Sequence, residues 1–341
     1  MARDKQQAEE FGEVLLAWYD RHARELPWRV PPGEARRADP YHVLLSEVML
    51  QQTTVAVIRK RFGEFLERFP TVSALADAEE GAVTDAWAGL GYYRRARSLH
   101  ACAKAIMEEH GGVFPQTEDK LRGLPGVGDY TAAAIASIAF GEPAVVVDGN
   151  IERIVARVAL VTDELPKGKK AIKAAAAELM PESRPGDYAQ ALMDLGAGVC
   201  RPKGPDCLLC PVRSFCKAAG TAYAESLPRK APKREKKVVK GAIFVFSNEA
   251  GEVLCVRRPE EGLFAGMLGL PGGGWDGSDA PPTEGFKLKG GITHILTHRR
   301  LEIDVYSGPA PGGTKGAWLS ADEARESLPT LFKKALDRGL S

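Results

Sequence analysis

The spacing of apolar residues changes near residue 240, and this change divides the chain of 341 residues into two parts. Before it, apolar residues recur at helical spacing, and Pro or Gly breaks separate many segments of helical length. After it, short apolar runs predict strands over 242–246, 253–256 and 301–306. A capping box of Ser320 and Glu323 then predicts a last helix that continues to Arg338. We therefore predict an all-α domain followed by a small α/β domain.

Charge is distributed unevenly along the chain, although 46 Lys and Arg residues nearly balance 45 Asp and Glu residues. Residues 200–240 contain 11 basic and 3 acidic side chains, and the segment 229–237 is the most basic part. Such a segment is typical of an exposed linker, which either is a solvated tether or contacts phosphates. We place the helical domain at 1–220, the linker at 221–239 and the second domain at 240–341.

The sequence shows neither a signal peptide nor a membrane span. Its first ten residues are polar, and it contains no run of about 18 uncharged apolar residues. We expect a soluble, cytoplasmic protein without a membrane partner.

Four of the six cysteines lie close together in the chain. Cys200, Cys207, Cys210 and Cys216 form the pattern Cys-x6-Cys-x2-Cys-x5-Cys, which is typical of a metal site. Four thiolates at compact, unequal spacing favour a 4Fe-4S cluster in a loop over 200–216, and a zinc ion remains the chemical alternative.

A glycine-rich turn over 124–128 lies between two predicted helices. Its glycines, Gly126 and Gly128, allow a tight turn, and the helix that follows presents free N–H groups at its N-terminus. This turn either holds a backbone phosphate or is a purely structural connection.

Two carboxylates stand in unusual surroundings. Glu47 lies in a predicted helix that is apolar on nearly every side, so burial would raise its pKa and keep it protonated as a general acid. Asp148 precedes a predicted helix, where it would cap the N-terminus and where the helix dipole favours the ionised form. A neutral acid beside a permanent anion suits glycosidic bond cleavage. The alternatives are a thin polar stripe or an ion pair for Glu47 and simple capping for Asp148.

These features together resemble the adenine DNA glycosylases of the MutY type, within the helix-hairpin-helix base-excision superfamily. Beyond the cysteines, Glu47 and Asp148, the resemblance rests on the segments 26–29, 45–53, 89–93, 124–130, 147–150 and 193–197. It implies a two-lobed, all-α glycosylase domain with a 4Fe-4S cluster loop and a C-terminal Nudix-like domain.

The resemblance also implies a role for each matching residue. Glu47 would protonate the adenine ring, and Asp148, with Asn150 beside it, would stabilise the cationic sugar. Tyr130 occupies the position where bifunctional relatives have a Schiff-base lysine, so we predict base excision without an efficient strand-cutting step. The remaining matches are adenine-pocket residues (Trp28, Arg29 and Gln190), duplex-wedge residues (Gln52, Leu90 and Tyr92) and phosphate-contact residues (Gly126 and Gly128).

The second domain resembles a Nudix-like domain through residues 262–266 and 270–274. The residues after Gly274 contain no Glu-rich, magnesium-binding helix, so we expect it to bind rather than to hydrolyse. The resemblance implies recognition of 8-oxoguanine opposite the target adenine by a loop in which Thr297 and His298 retain the polar groups. Leu296 replaces the family's aromatic residue there, which weakens the expected stacking on the lesion.

The implied function is excision of adenine mispaired with 8-oxoguanine or guanine in duplex DNA by a monomeric enzyme, associated with the nucleoid if the source is bacterial. Alternatives are a thymine or uracil mismatch glycosylase of the same superfamily and a non-catalytic iron-sulfur DNA-binding protein. Nucleotide pyrophosphatase activity of the second domain is a further alternative, which the missing metal-binding helix disfavours.

Overall fold

The structure, a computed structural model, describes residues 2–34, 36–232, 235–259, 261–296 and 298–341, with side chains from residue 5 onward. These residues form two compact units that meet in the chain between Ala231 and Pro232. Within the described ranges, no helix combines the length and apolar character required to cross a membrane.

The first unit is helical, as predicted. Its helices are α1 (Ala2–His22), α2 (Pro40–Leu50), α3 (Val55–Arg68), α4 (Val72–Ala76), α5 (Glu80–Ala86), α6 (Arg94–His110), α7 (Glu118–Arg122), α8 (Asp129–Ile135), α9 (Gly149–Ala159), α10 (Lys169–Glu178), α11 (Pro185–Gly198) and α12 (Tyr223–Ser226). The predicted apolar helix after the glycine-rich turn changes its geometry partway, because α8 continues as a π-helical turn over Ala136–Phe140.

Two helices of this unit begin at an aspartate cap. Asp39 accepts a hydrogen bond from the Tyr41 backbone N–H at 2.8 Å, and Pro40 occupies the first turn of α2, where no backbone donor is needed. Asp148 caps α9 as predicted from the sequence. Both helices run through a continuous core whose largest buried side chains include Trp87, Tyr19, Phe11, Phe62 and Phe65.

Part of the predicted linker packs on the helical unit. The backbone N–H of Leu165 donates to the Arg229 carbonyl at 2.9 Å, and Leu227 is buried. Lys233 and Arg234, at the centre of the basic segment, lie outside the described residues. The limits 221–239 therefore stay a prediction.

The second unit is α/β, as predicted. Its strands are β1 (Lys237–Phe246), β2 (Val253–Arg257), β3 (Leu268–Gly269), β4 (Gly272–Gly273), β5 (Lys287–Ile295), β6 (Arg299–Gly308) and β7 (Ala317–Leu319). They form a four-stranded sheet in the order β4-β1-β6-β5 and a three-stranded sheet in the order β3-β2-β7. Strands β1 and β6 are parallel, whereas β5 and β6 form an antiparallel hairpin.

The C-terminal helical segment differs from the prediction of one helix that continues to Arg338. The capping box of Ser320 and Glu323 is present, but the segment forms α13 (Ala321–Ser327) and α14 (Thr330–Leu340). Pro329 explains the break, because proline disfavours helical backbone at the residue before it. Helix α14 packs its apolar face, including Phe332 and Leu336, into the core of this unit.

Candidate active site

A cavity of about 310 Å³ opens in the helical unit between α2, α8, α11 and the N-terminus of α9. Its volume lies at the lower end of the range of small-molecule pockets. Seven of the residues singled out from the sequence line it: Trp28, Arg29, Glu47, Tyr130, Asp148, Asn150 and Gln190. No lysine is among the described residues that line this cavity.

Glu47 is buried in the wall of the cavity, with 8% of its surface exposed. The Tyr130 hydroxyl donates a hydrogen bond of 2.6 Å to Glu47 Oε2. The surroundings of Glu47 together raise its pKa to about 7: burial is the largest cause and the nearby Asp148 carboxylate adds to it, whereas the Tyr130 hydrogen bond and Arg29 partly offset the rise. The Glu47 carboxyl therefore carries a proton in a large fraction of molecules near neutral pH.

Asp148 faces the same cavity in a different chemical setting. Its Oδ1 accepts the backbone N–H groups of Asn150 at 2.9 Å and Ile151 at 2.7 Å, and its Oδ2 accepts Asn150 Nδ2 at 3.0 Å. Three donors and the positive end of the α9 dipole all favour a negative charge on this group. The site thus combines a carboxyl that holds its proton with a carboxylate stabilised as an anion, which is the arrangement that glycosidic bond cleavage uses.

A buried carboxylate on α11 fixes two arginines of the cavity wall. Arg29 Nη1 donates to both oxygens of Asp194 at 2.8 Å, and Arg24 Nε donates to Asp194 Oδ1 at 2.7 Å. Asp194 is 3% exposed, so its charge is compensated by these arginines rather than by water. These ion pairs hold the Arg29 guanidinium at the wall of the 310 Å³ cavity.

Helix α9 connects the Asp148 carboxylate to the cysteine loop through two buried arginines. Arg153 Nη2 donates to Asn150 Oδ1 at 3.0 Å, and Arg153 Nε donates to the Cys200 carbonyl at 2.8 Å. Arg157 Nη1, one turn later, lies 3.2 Å from Cys200 Sγ. The cysteine loop and helix α9 are therefore held in one hydrogen-bonded arrangement.

The four clustered cysteines, Cys200, Cys207, Cys210 and Cys216, line a single small pocket and form no disulfide. Burial raises the pKa of Cys210 to about 11 and also raises that of Cys216, so stable thiolates require a cationic partner. Among the described residues, no three His, Cys, Asp or Glu side chains lie close enough together to ligate one metal ion. Four thiol groups around one pocket are a donor set that could hold a metal ion or an iron-sulfur cluster.

A second cavity of about 330 Å³ shares Gln51 with the first and contains Gln52, Tyr92 and Gly126 in its lining. Gln52 is exposed, and Tyr92 has 59% of its surface exposed. Leu90, the third predicted wedge residue, is only 7% exposed and packs in the helical core, so the structure does not present it to a partner.

The glycine-rich turn lies beside this groove, with both of its glycines exposed. Gly126 has φ +74°, and a Cβ there would lie 2.6 Å from Ser98 Cβ, so glycine is required. Gly128 stands at the N-cap of α8.

His298, one of the two residues predicted to recognise the opposite base, directly precedes β6. His298 is exposed, Leu296 packs partly against the core of its unit, and Lys236 Nζ donates to the Leu296 carbonyl at 2.7 Å. Ile295, the last residue of β5, is apolar and has 65% of its surface exposed. Thr297 lies outside the described residues. Residues 275–286 form turns and bends.

Asp194 and Arg24 were given no role from the sequence, whereas Arg29, the other arginine that binds Asp194, was predicted to line the adenine pocket. Asp194 lies in an apolar helical segment, and the same signal that singled out Glu47, a carboxylate among apolar neighbours, marks this position too. Arg153 and Arg157 carry no comparable signal, because arginine side chains are mostly exposed and an arginine in a helix does not by itself predict burial.

Comparison with known proteins supplies two family matches. Residues 45–182 match the family model of HhH-GPD superfamily base excision DNA repair proteins, and residues 242–338 match the NUDIX domain model.

Proteins named adenine DNA glycosylase are similar to this chain over much of its length. The Homo sapiens protein is 34% identical, and the alignment covers 97% of this chain and 74% of the human protein. The Mycolicibacterium smegmatis protein is 41% identical over 60% of this chain and 67% of its own length.

Solved structures resemble the helical part. A thermostable thymine-DNA glycosylase aligns with a TM-score of 0.54 and 26% identity, covering 63% of this chain and 97% of that one. An endonuclease III bound to DNA non-covalently aligns with a TM-score of 0.51 and 23% identity over 63% of this chain and 96% of that one, which shows a shared fold.

Proposed function

The chain belongs to the family of adenine DNA glycosylases, and from this premise we propose that it excises adenine from mispairs with 8-oxoguanine or guanine in duplex DNA. It is a base excision repair enzyme that hydrolyses the N-glycosidic bond of adenine. The observation that carries the proposal is the pairing of a neutral acid, Glu47, with a stabilised anion, Asp148, on one cavity.

Glu47 acts as the general acid in this proposal. An extruded adenine enters the 310 Å³ cavity, and the Glu47 carboxyl donates its proton to a ring nitrogen, which makes the base a better leaving group. Tyr130, bonded to Glu47 Oε2, holds the carboxyl in place. Trp28, Arg29 and Gln190 line the cavity and would contact the base.

Asp148 acts on the sugar. As the C–N bond breaks, positive charge develops on the deoxyribose ring, and a fixed carboxylate stabilises that charge without reorganising. Asn150 keeps the carboxylate oriented through two hydrogen bonds. Water then adds to the sugar carbon and loses one proton, which replaces the proton that Glu47 gave to the base. The strand remains intact, because Tyr130 stands where a Schiff-base lysine would be needed.

Gln52 and Tyr92 would fill the space in the duplex from which adenine is extruded, because both are exposed in the groove beside the cavity. Leu90 is assigned no direct wedge contact, because it is buried. Gly126 and Gly128 would place backbone N–H groups of their turn near a DNA phosphate.

The four cysteines would hold a 4Fe-4S cluster. Such a cluster shapes a loop of the protein, and base hydrolysis requires no electron from it. The Arg157 guanidinium beside Cys200 Sγ supports thiolate ligation there, since it offers a charge-assisted hydrogen bond. Arg153 ties the same loop to Asn150.

The cluster assignment predicts a change in metal content for Cys207→Ser. The wild-type protein, purified without oxygen, is expected to be brown and to contain iron and acid-labile sulfide in equal amounts, whereas Cys207→Ser loses most of both. Cys102→Ala is the matched control, because Cys102 is buried in the helical core and does not line the pocket of the four cysteines. One zinc per chain without sulfide would contradict the assignment.

The second unit would recognise the base opposite the adenine through Thr297 and His298, which stand between β5 and β6 in the sequence. The exposure of His298 supports this role. The absence of a helix over 275–286 supports binding rather than metal-dependent hydrolysis by this unit.

Replacement of Leu296 by phenylalanine tests the departure from the family's aromatic residue. Because Leu296 packs partly against its own core, we expect Leu296→Phe to change the 8-oxoguanine-over-guanine rate ratio by less than about threefold. The larger ring should instead lower the free energy of unfolding by roughly 1–2 kcal/mol. Single-turnover rates on both duplexes and urea unfolding give the two values. A tenfold rise in preference would mean that this side chain contacts the lesion.

A panel of duplexes, each base opposite each partner, tests the proposed function. We expect adenine to be released opposite 8-oxoguanine and guanine, and strands to break only after alkali treatment. Thymine or uracil release opposite guanine would favour the mismatch glycosylase alternative, in line with the fold of the thymine-DNA glycosylase. Tight binding without release of any base would favour a non-catalytic DNA-binding protein.

We further propose that the chain acts as a monomer on nucleoid or nuclear DNA.

A further inference from the structure

Two exposed residues of the groove have an unusual backbone conformation. Gln52, just after α2, has φ 59°, and Tyr92, just before α6, has φ 49°. Residues other than glycine rarely adopt this left-handed backbone conformation, and they keep it only where surrounding contacts hold them. Both residues line the 330 Å³ groove, although they belong to loops 40 residues apart in sequence.

One side chain connects these two loops. Arg95 Nη1 donates to the carbonyls of Val48 at 2.9 Å and Met49 at 3.1 Å, and also to that of Gln51. Arg95 Nη2 donates to the carbonyls of Leu90 at 3.0 Å and Gly91 at 3.2 Å. The last carbonyls of a helix have no partner within that helix, so Arg95 satisfies the end of α2 and the loop before Tyr92 at once.

The Arg95 guanidinium also contacts Tyr92 directly. Its carbon lies 5.6 Å from the centroid of the Tyr92 ring and 5.4 Å from that of Trp87, both within the range of cation–π contacts. Arg95 thus fixes the residue before each of the two exposed side chains. It binds the carbonyl of Gln51, which precedes Gln52, and the carbonyl of Gly91, which precedes Tyr92.

We propose that Arg95 is a positioning residue that holds Gln52 and Tyr92 as one rigid wedge, so that the wedge enters the duplex already formed. This inference rests on the proposed function. Arg95 lines the groove but not the base cavity, so it acts on extrusion of the adenine and not on cleavage. A planar guanidinium bonds two loops at once, which the single ammonium of lysine cannot do in the same geometry.

A nearby arginine provides a matched control. Arg61 Nη2 donates to the carbonyls of Ala86 and Ala88, both at 2.8 Å, so it braces the same loop from α3. In the described contacts it bonds neither the end of α2 nor Tyr92. Arg61→Lys therefore measures the effect of weakening the loop without separating the two wedge residues.

The test compares paired with unpaired adenine. Single-turnover adenine release is measured for wild type, Arg95→Lys and Arg61→Lys on a duplex with adenine opposite guanine and on one with adenine in a one-nucleotide bulge. Extrusion from a pair costs a few kcal/mol, which a bulge largely removes. We expect Arg95→Lys to lose about tenfold or more on the paired adenine and less than about threefold on the bulge. Arg61→Lys is expected to stay near wild type on both.

A second readout follows extrusion without cleavage. The adenine is replaced by 2-aminopurine, whose fluorescence should increase when the wild-type protein binds the duplex. The increase should be much smaller with Arg95→Lys, measured at saturating protein. Equal losses by Arg95→Lys on both duplexes, or no loss on either, would overturn the wedge proposal. Absence of adenine release by the wild type would instead contradict the proposed function, and the fluorescence comparison would still decide the role of Arg95.

Discussion

Glu47→Gln is expected to bind mispaired duplex DNA and to release adenine roughly 10²- to 10⁴-fold more slowly than the wild type, the range that a lost general acid typically costs. The amide has the shape of the carboxyl and accepts the same hydrogen bond from Tyr130, but it has no proton to transfer. Single-turnover release and equilibrium binding on the same duplex separate the two effects. Glu67→Gln, an exposed change on α3, is the matched control.

The same substitution should not destabilise the protein. A buried carboxyl whose pKa rises to about 7 binds its proton more tightly in the folded than in the unfolded chain. Wild type is therefore penalised above pH 7, by on the order of 1–3 kcal/mol, and the penalty disappears as the pH falls below about 4.5. Glu47→Gln should be as stable as wild type or more stable at pH 8, with the difference shrinking toward pH 5. Normal turnover by this variant would remove Glu47 from the mechanism.

Asp148→Asn is expected to lower adenine release by roughly 10²- to 10³-fold while the protein stays folded, because it removes the negative charge that faces the developing sugar cation. Asparagine caps helices about as well as aspartate, and its oxygen still accepts the N–H groups of Asn150 and Ile151. Activity and thermal unfolding are measured together.

Asp39→Asn controls for the capping effect. Asp39 caps α2 through a comparable side-chain hydrogen bond but lies outside the cavity lining. Both variants should change stability by less than about 1 kcal/mol, and only Asp148→Asn should lose activity. If activity falls only in step with stability, Asp148 serves as a helix cap and not as a catalytic anion.

Local sequence patterns predicted the parts of the site that depend on local structure. The helical periodicity around Glu47 placed it among apolar neighbours, and its burial follows from that. The position of Asp148 before an amphipathic helix predicted its capping contacts. The change of period near residue 240 predicted two domains of different class.

Contacts between distant segments were not predictable in the same way. Asp194 meets Arg29 across 165 residues, and Arg95 meets the end of α2 across 44 to 47 residues, so no local period reports either contact. The break between α13 and α14 follows from Pro329, a local signal that the capping box obscured. Strand β5, with two adjacent glycines and with lysines at positions 287 and 289, lacks the apolar run by which the other long strands were identified.

The pH dependence of adenine release tests most directly whether a protonated Glu47 cleaves the bond beside an ionised Asp148. Single-turnover rates on a duplex with adenine opposite 8-oxoguanine are measured from about pH 5 to 9. Adenine should be released, and the rate should fall as the pH rises through about 7, approaching a tenfold loss per pH unit as the carboxyl loses its proton. A rate that stays constant to pH 9, or no release of adenine at any pH, would contradict this mechanism.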